Sequence, residues 1–143
     1  MLIVDAHEDI AYNALRYNRD YTTSALDIRT TEINSKSVID NGLACLGHDE
    51  WLSGHVGIIF ATLFSPPYSH YSGDSEKMYY RNSEQAHQLA HNQLDYYLNL
   101  DQLFPYAFSH HDLRNSYRSY CMISATVEPS PRTIADAVMI LAL

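Results

Sequence analysis

The sequence is poor in cysteine, in basic residues and in long apolar runs. Two cysteines, Cys45 and Cys121, stand far apart in 143 residues and in no paired motif. That excludes a disulfide framework and predicts two buried thiols in a reducing compartment. Nine Lys and Arg face seventeen Asp and Glu, for a formal net charge of −8. The basic residues are scattered, so there is no electrostatic footprint for nucleic acid. The acidity also opposes an anionic membrane surface as partner. The start, Met1-Leu2-Ile3-Val4-Asp5, has no basic segment ahead of its short apolar run and does not read as a signal peptide. The apolar run from Ala137 to Leu143 falls well short of the roughly 20 residues that span a bilayer. These absences predict a cytoplasmic chain with neither a membrane nor a nucleic-acid partner.

What is present is an ordinary globular composition, 46% hydrophobic and 18% charged, enough for one domain with a real core. Leu2 to Ala6 is a short, β-branched apolar run that predicts a buried strand ending in His7-Glu8-Asp9. Helical spacing follows from Ile10 to Tyr17. Asp20 to Glu32 is polar and predicts a loop with about one helical turn. Ser37 to Leu46 holds an Asn41-Gly42 turn signal. Val56 to Phe64 is nearly continuous apolar, as in a parallel strand buried on both faces, and Ser65-Pro66-Pro67 stops it. Ser75 to about Asp101 has no Pro or Gly and predicts a long helix. Beyond it, His111 to Tyr120 predicts a short helix, Tyr120 to Val127 a third strand and Thr133 to Leu143 a helix. Strands alternating with helices predict an α/β domain with a parallel sheet. There is no internal repeat, low-complexity tract or linker.

His7 and Asp9 carry the clearest chemistry. Active sites of parallel α/β folds gather at the carboxyl ends of strands. Residues two apart on an extended chain project to the same side, so His7 and Asp9 share a face and Glu8 points away. Imidazole nitrogen and carboxylate oxygen both suit zinc-class metals. The same two residues also suit a helix start, with Asp9 as N-cap of the helix from Ile10. Spacing alone leaves both readings open.

The wider segment Ile3-Val4-Asp5-Ala6-His7-Glu8-Asp9-Ile10-Ala11 resembles the opening of the renal (membrane) dipeptidases, the M19 metallopeptidase family. The block from Glu50 to Phe64, with Trp51 and Gly54-His55-Val56-Gly57, is similar to the same family, and the long helix after Ser75 fits its plan. The resemblance extends from about Ile3 to Leu113. It implies a (β/α)8 TIM barrel of the metal-dependent hydrolase type, with two zinc ions at the carboxyl end of the strands. It implies that His7 and Asp9 bind one of them. It further implies hydrolysis of the peptide bond of dipeptides by a zinc-activated hydroxide. A glutamate that bridges the two metals maps onto Glu128, although Pro129 follows where the family has Gly. A solvated loop carboxylate is the alternative for Glu128.

A barrel of this kind takes about 250 residues, so the chain's length corresponds to roughly three of eight βα units. The expectation is an incomplete barrel over 1–143, the N-terminal portion of a dipeptidase, with an atypical tail over 116–143. Further His ligands would have no counterpart. An exposed sheet edge would favour self-association, and the chain would be inactive alone. The alternative is a non-catalytic remnant or interaction module of the same fold.

The remaining histidines read mostly as solvated. His87 and His91 lie at i and i+4 on the long helix, a spacing able to hold a metal, but without a His-Glu-x-x-His pattern. His48 and His55 flank Trp51, and His110-His111 precede Asp112 at a helix approach. His70 and Tyr68 lie in a loop near a strand end and are candidates to line a substrate site, with surface packing as the alternative.

Overall fold

The computed structural model describes residue 1 and residues 3–71, 78–103 and 137–142. The short helix expected over His111–Tyr120, the strand expected over Tyr120–Val127, and His110, Cys121 and Glu128 lie outside them. In chain order the elements are β1 (Ile3–Glu8), α1 (Ile10–Tyr17), α2 (Ala25–Glu32), α3 (Lys36–Asn41), α4 (His48–Ser53) and β2 (Val56–Leu63). A single 3-10 turn (Tyr68–His70), α5 (Ser83–Leu103) and β3 (Ala137–Ala142) complete them. The three strands form one sheet in the order β1-β2-β3. β1 and β2 are parallel, with α1 to α4 in the connection between them. The architecture is mixed α/β.

The core is where α1, α4, α5 and β2 meet. Ile10, Ala11 and Ala14 of α1, Trp51 of α4, Ile59, Ala61 and Leu63 of β2, and Tyr97 of α5 form one buried cluster, joined by Tyr21, Ile28 and Ala44. β2 lies between β1 and β3; the burial on both faces expected of it is incomplete, since Val56, Ile58 and Phe60 are only half-buried while Gly57, Ile59 and Ala61 to Leu63 are buried.

Tyr97 is fully buried, and its hydroxyl uses both of its hydrogen-bonding roles. It accepts from the Ala11 amide at 3.1 Å and donates to the Thr62 carbonyl at 3.0 Å. The Ala11 N–H belongs to the first turn of α1, where no intrahelical acceptor exists. One turn earlier on α5, the buried Gln93 treats Phe64 as a strand neighbour would. Its Oε1 accepts from the Phe64 amide at 2.9 Å, and its Nε2 donates to the Phe64 carbonyl at 2.7 Å.

A second buried polar unit ties the connection together. Arg19 and Glu32 form a two-bond ion pair at 2.9 and 3.1 Å, both side chains nearly inaccessible. Arg19 also donates to the Gly42 carbonyl at 2.7 Å, and Glu32 accepts from the Ala44 amide at 3.1 Å. At Gly47 the chain passes so close to its neighbour that an added Cβ would lie 2.4 Å from the Thr23 carbonyl oxygen. Only glycine fits that approach.

Four sequence expectations are corrected. β1 runs on through His7 to Glu8, and it is not buried: Ile3 and Val4 are 40% and 53% exposed. Among the described residues it has a strand neighbour on one side only, whereas β2 has one on each side. The stretch expected to be loop contains the two-turn helix α2, whose start is held by two caps. Ser24 Oγ accepts from the Asp27 amide at 3.1 Å, and Glu50 Oε2 accepts from the Ala25 amide at 2.7 Å. Residues 137–142, expected as helix, form β3, antiparallel to β2 from Leu63 opposite Ala137 to Ile58 opposite Ala142. An aperiodic apolar run fits a buried helix or a buried strand, and the free edge of β2 decides for the strand. Cys45 is exposed and free rather than buried.

Tyr97→Phe should lower stability by roughly 2 kcal/mol, because it removes the acceptor of the buried Ala11 N–H and the donor to the Thr62 carbonyl while keeping the ring. Denaturant unfolding that shows a lower midpoint with an unchanged slope is the expected readout.

Candidate metal centre

The end of β1 is shaped by a change of register. Asp5 lies opposite Ile59 and Glu8 opposite Ala61, so β1 spends one more residue than β2 over this interval. Such irregularities re-aim side chains and recur beside active sites. Here the extra residue falls in the segment that delivers His7, whose side chain is 66% exposed. Glu8 turns inward and is buried, on the opposite side from exposed His7.

His7 Nε2 and Asp9 Oδ1 are 3.3 Å apart. Asp9 occupies the N-cap position of α1, yet its side chain makes no capping hydrogen bond. The Ala11 amide is taken by Tyr97 instead. Asp9 Oδ1 accepts a close hydrogen bond from Thr62 Oγ1, whose hydroxyl also lies 3.2 Å from the Glu8 carbonyl. The Asp9 carbonyl accepts from Asn13 Nδ2 at 2.9 Å. The carboxylate therefore faces His7 and Thr62, not the helix.

These residues border an open cleft of about 230 Å³ lined by His7, Glu8, Asp9, Ile10, Asn13, Tyr21 and Leu46. Beneath it, Glu8 Oε1 accepts from the Trp51 indole N–H at 3.1 Å, and Trp51 stacks on Tyr21 with centroids 6.0 Å apart. Glu8 Oε2 is buried without a hydrogen-bond partner. Burial, reinforced by the negative charge of Asp5, pushes the Glu8 carboxyl up to about 7 against the pull of the Trp51 N–H.

The residues present fit one end of a metal site. Two donors on a tetrahedral zinc, each about 2.0–2.1 Å from it, lie about 3.3–3.4 Å from one another. That is the His7–Asp9 separation, and it is also the separation of a His–Asp ion pair. Zinc needs at least a third protein donor. Among the described residues no group of three or more His, Cys, Asp or Glu is placed to hold a metal.

The other sequence candidates lie elsewhere. His70 and Tyr68 do not line the cleft. Tyr68 stacks on Tyr71 at 5.0 Å and carries the Arg81 guanidinium over its ring. The His87 and His91 rings meet on α5 with centroids 4.3 Å apart. His48 is paired with Asp49 at 3.2 Å, and His55 takes a left-handed backbone, φ 58°, at the turn into β2. Thr62, Tyr97 and the Glu8–Trp51 contact were not singled out by the sequence. The only signal for Thr62 was a hydroxyl residue within an apolar strand.

No family model, curated protein or solved structure matches the chain. No helix among the described residues is long and apolar enough to cross a membrane.

A carboxyl whose pKa is higher folded than unfolded holds its proton more tightly in the fold. Glu8 thus contributes stability fully present below its ordinary 4.5 and lost as pH rises through about 7. The metal-free protein should weaken over that interval. Glu8→Gln keeps an acceptor for Trp51 and removes the charge, so denaturant midpoints measured across the same pH range should flatten.

Proposed function

We propose that the chain carries the first-strand half of the metal centre of a zinc-dependent, dipeptidase-like hydrolase. The observation that carries this reading is the 3.3 Å approach of His7 Nε2 and Asp9 Oδ1 at the end of a strand, with Asp9 withdrawn from helix capping. The resemblance of residues 3–11 and 50–64 to the renal dipeptidases supports the substrate class, and mixed α/β architecture is compatible with the barrel that the resemblance implies. A bound zinc would lower the pKa of a water and polarise the scissile carbonyl. This chain's residues supply the rest of the reading. His7 and Asp9 offer two donors from one short segment, which costs little entropy on binding. Thr62 and Asn13 hold Asp9 from either side. Glu8, committed to Trp51, stays out of the donor set. A cytoplasmic setting belongs to the same proposal.

The shortage of donors among the described residues favours a second reading, a non-catalytic module of the same fold. Zinc content of purified protein and turnover of dipeptides separate the two. The hydrolase reading expects bound zinc and dipeptide cleavage, both lost in His7→Ala and in Asp9→Ala. Bound zinc without cleavage favours the non-catalytic module. Stoichiometric zinc that survives His7→Ala would refute the site.

A further inference from the structure

We infer that Thr62 is the positioning residue of the Asp9 carboxylate, setting its orientation for metal binding through a hydroxyl that β2 and α5 together hold in place. The inference rests on the metal-centre reading above and adds to it a residue from a second strand.

Thr62 is 4% exposed, on the strand beside β1. Its Oγ1 carries one proton and has two acceptors in reach, Asp9 Oδ1 and the Glu8 carbonyl. Its backbone is fixed independently. The Thr62 carbonyl accepts from the Tyr97 hydroxyl, whose other role is taken by the Ala11 amide at the start of α1. The chain of contacts runs from α5 through Tyr97 to Thr62 and on to Asp9, and returns to α1 two residues after Asp9. Each member that is not Asp9 is buried.

This arrangement matters because Asp9 has no other anchor of its own kind. Its side chain makes no cap bond, and among the described residues its carboxylate meets only His7 Nε2 and Thr62 Oγ1. His7 is largely exposed, so its contact fixes little. Remove the Thr62 hydroxyl and the carboxylate loses the one buried contact that sets its orientation. Partners of this type behind a metal-binding carboxylate typically change affinity by about 10–100-fold.

The test is zinc affinity of the full chain, measured by competition with a chromophoric chelator at a temperature where circular dichroism shows each variant folded. Thr62→Val matches the volume and lacks the hydroxyl. Thr62→Ser restores the hydroxyl in a smaller side chain. The expected result is zinc affinity weaker by about 10–100-fold in Thr62→Val and recovered in Thr62→Ser. A purely structural role for Thr62 would lower the unfolding midpoint of the metal-free protein and leave the affinity of the folded protein unchanged. Equal affinity in wild type and Thr62→Val overturns the inference while leaving the metal centre standing. Failure of the wild type to bind zinc overturns the metal centre and Thr62's role with it. Should Thr62→Val not fold, Thr62→Ala gives the same readout against Thr62→Ser.

Discussion

One phenol oxygen joins the parts of this domain. The Tyr97 hydroxyl sits where the start of α1, the end of β2 and the middle of α5 converge, fully removed from water. Two backbone groups there have no partner within their own elements. The Ala11 amide is an orphan of the first helical turn, and the Thr62 carbonyl lies near the end of β2. Leaving either unpaired in the core would cost on the order of 1–3 kcal/mol. A phenol satisfies both because it donates once and accepts once. Gln93, one turn earlier on the same helix face, repeats the device at Phe64 with an amide. α5 is therefore more than an apolar cover for β2. It supplies hydrogen bonds to the backbone at the end of β2.

That assignment of roles releases Asp9. A carboxylate directly before a helix ordinarily folds back onto the first-turn amides, a contact worth about 1 kcal/mol. With the Ala11 amide taken by Tyr97, Asp9 turns its oxygen to Thr62 and His7. For a single short side chain, capping the helix and facing His7 and Thr62 are alternatives, and the Ala11 amide is taken by a helix residue 86 positions later in the chain. The register change in β1 works in the same direction by turning Glu8 inward to Trp51.

The legible parts of the fold were those set by local pattern. β2 showed itself as an unbroken apolar run, α1 by its spacing, and α5 by its length without breakers, although the described helix begins at Ser83. The proximity of His7 and Asp9 was legible because both lie within three consecutive residues. The illegible parts depend on distant partners. α2 is capped by Glu50, 25 residues away, so a window over Ser24 to Glu32 underrates it. β3 is a strand because β2 has an edge to fill, which no property of residues 137–142 states. Thr62, Tyr97 and Trp51 take their roles from contacts 35 to 86 residues apart. In each, a residue at a core position carries a polar atom whose partner is distant in the chain.

In the proposed metal centre, two donors whose geometry is settled before a metal arrives have less ordering left to lose on binding it. A flexible His-x-Asp would spend much of its binding energy on ordering two side chains, each with rotamer freedom to lose. Here part of that ordering is done by folding. Asp9 is held through Thr62, and the strand that delivers His7 is fixed from beneath by the Glu8–Trp51 contact. The same contact has a cost, since it buries a carboxyl whose ionisation the fold resists. An apolar residue at position 8 would avoid that cost but would leave the Trp51 N–H unpaired in the core and free the strand end to turn. The strained ionisation of Glu8 and the orientation of the His7–Asp9 pair are thus two consequences of one choice: which face of β1 points into the protein.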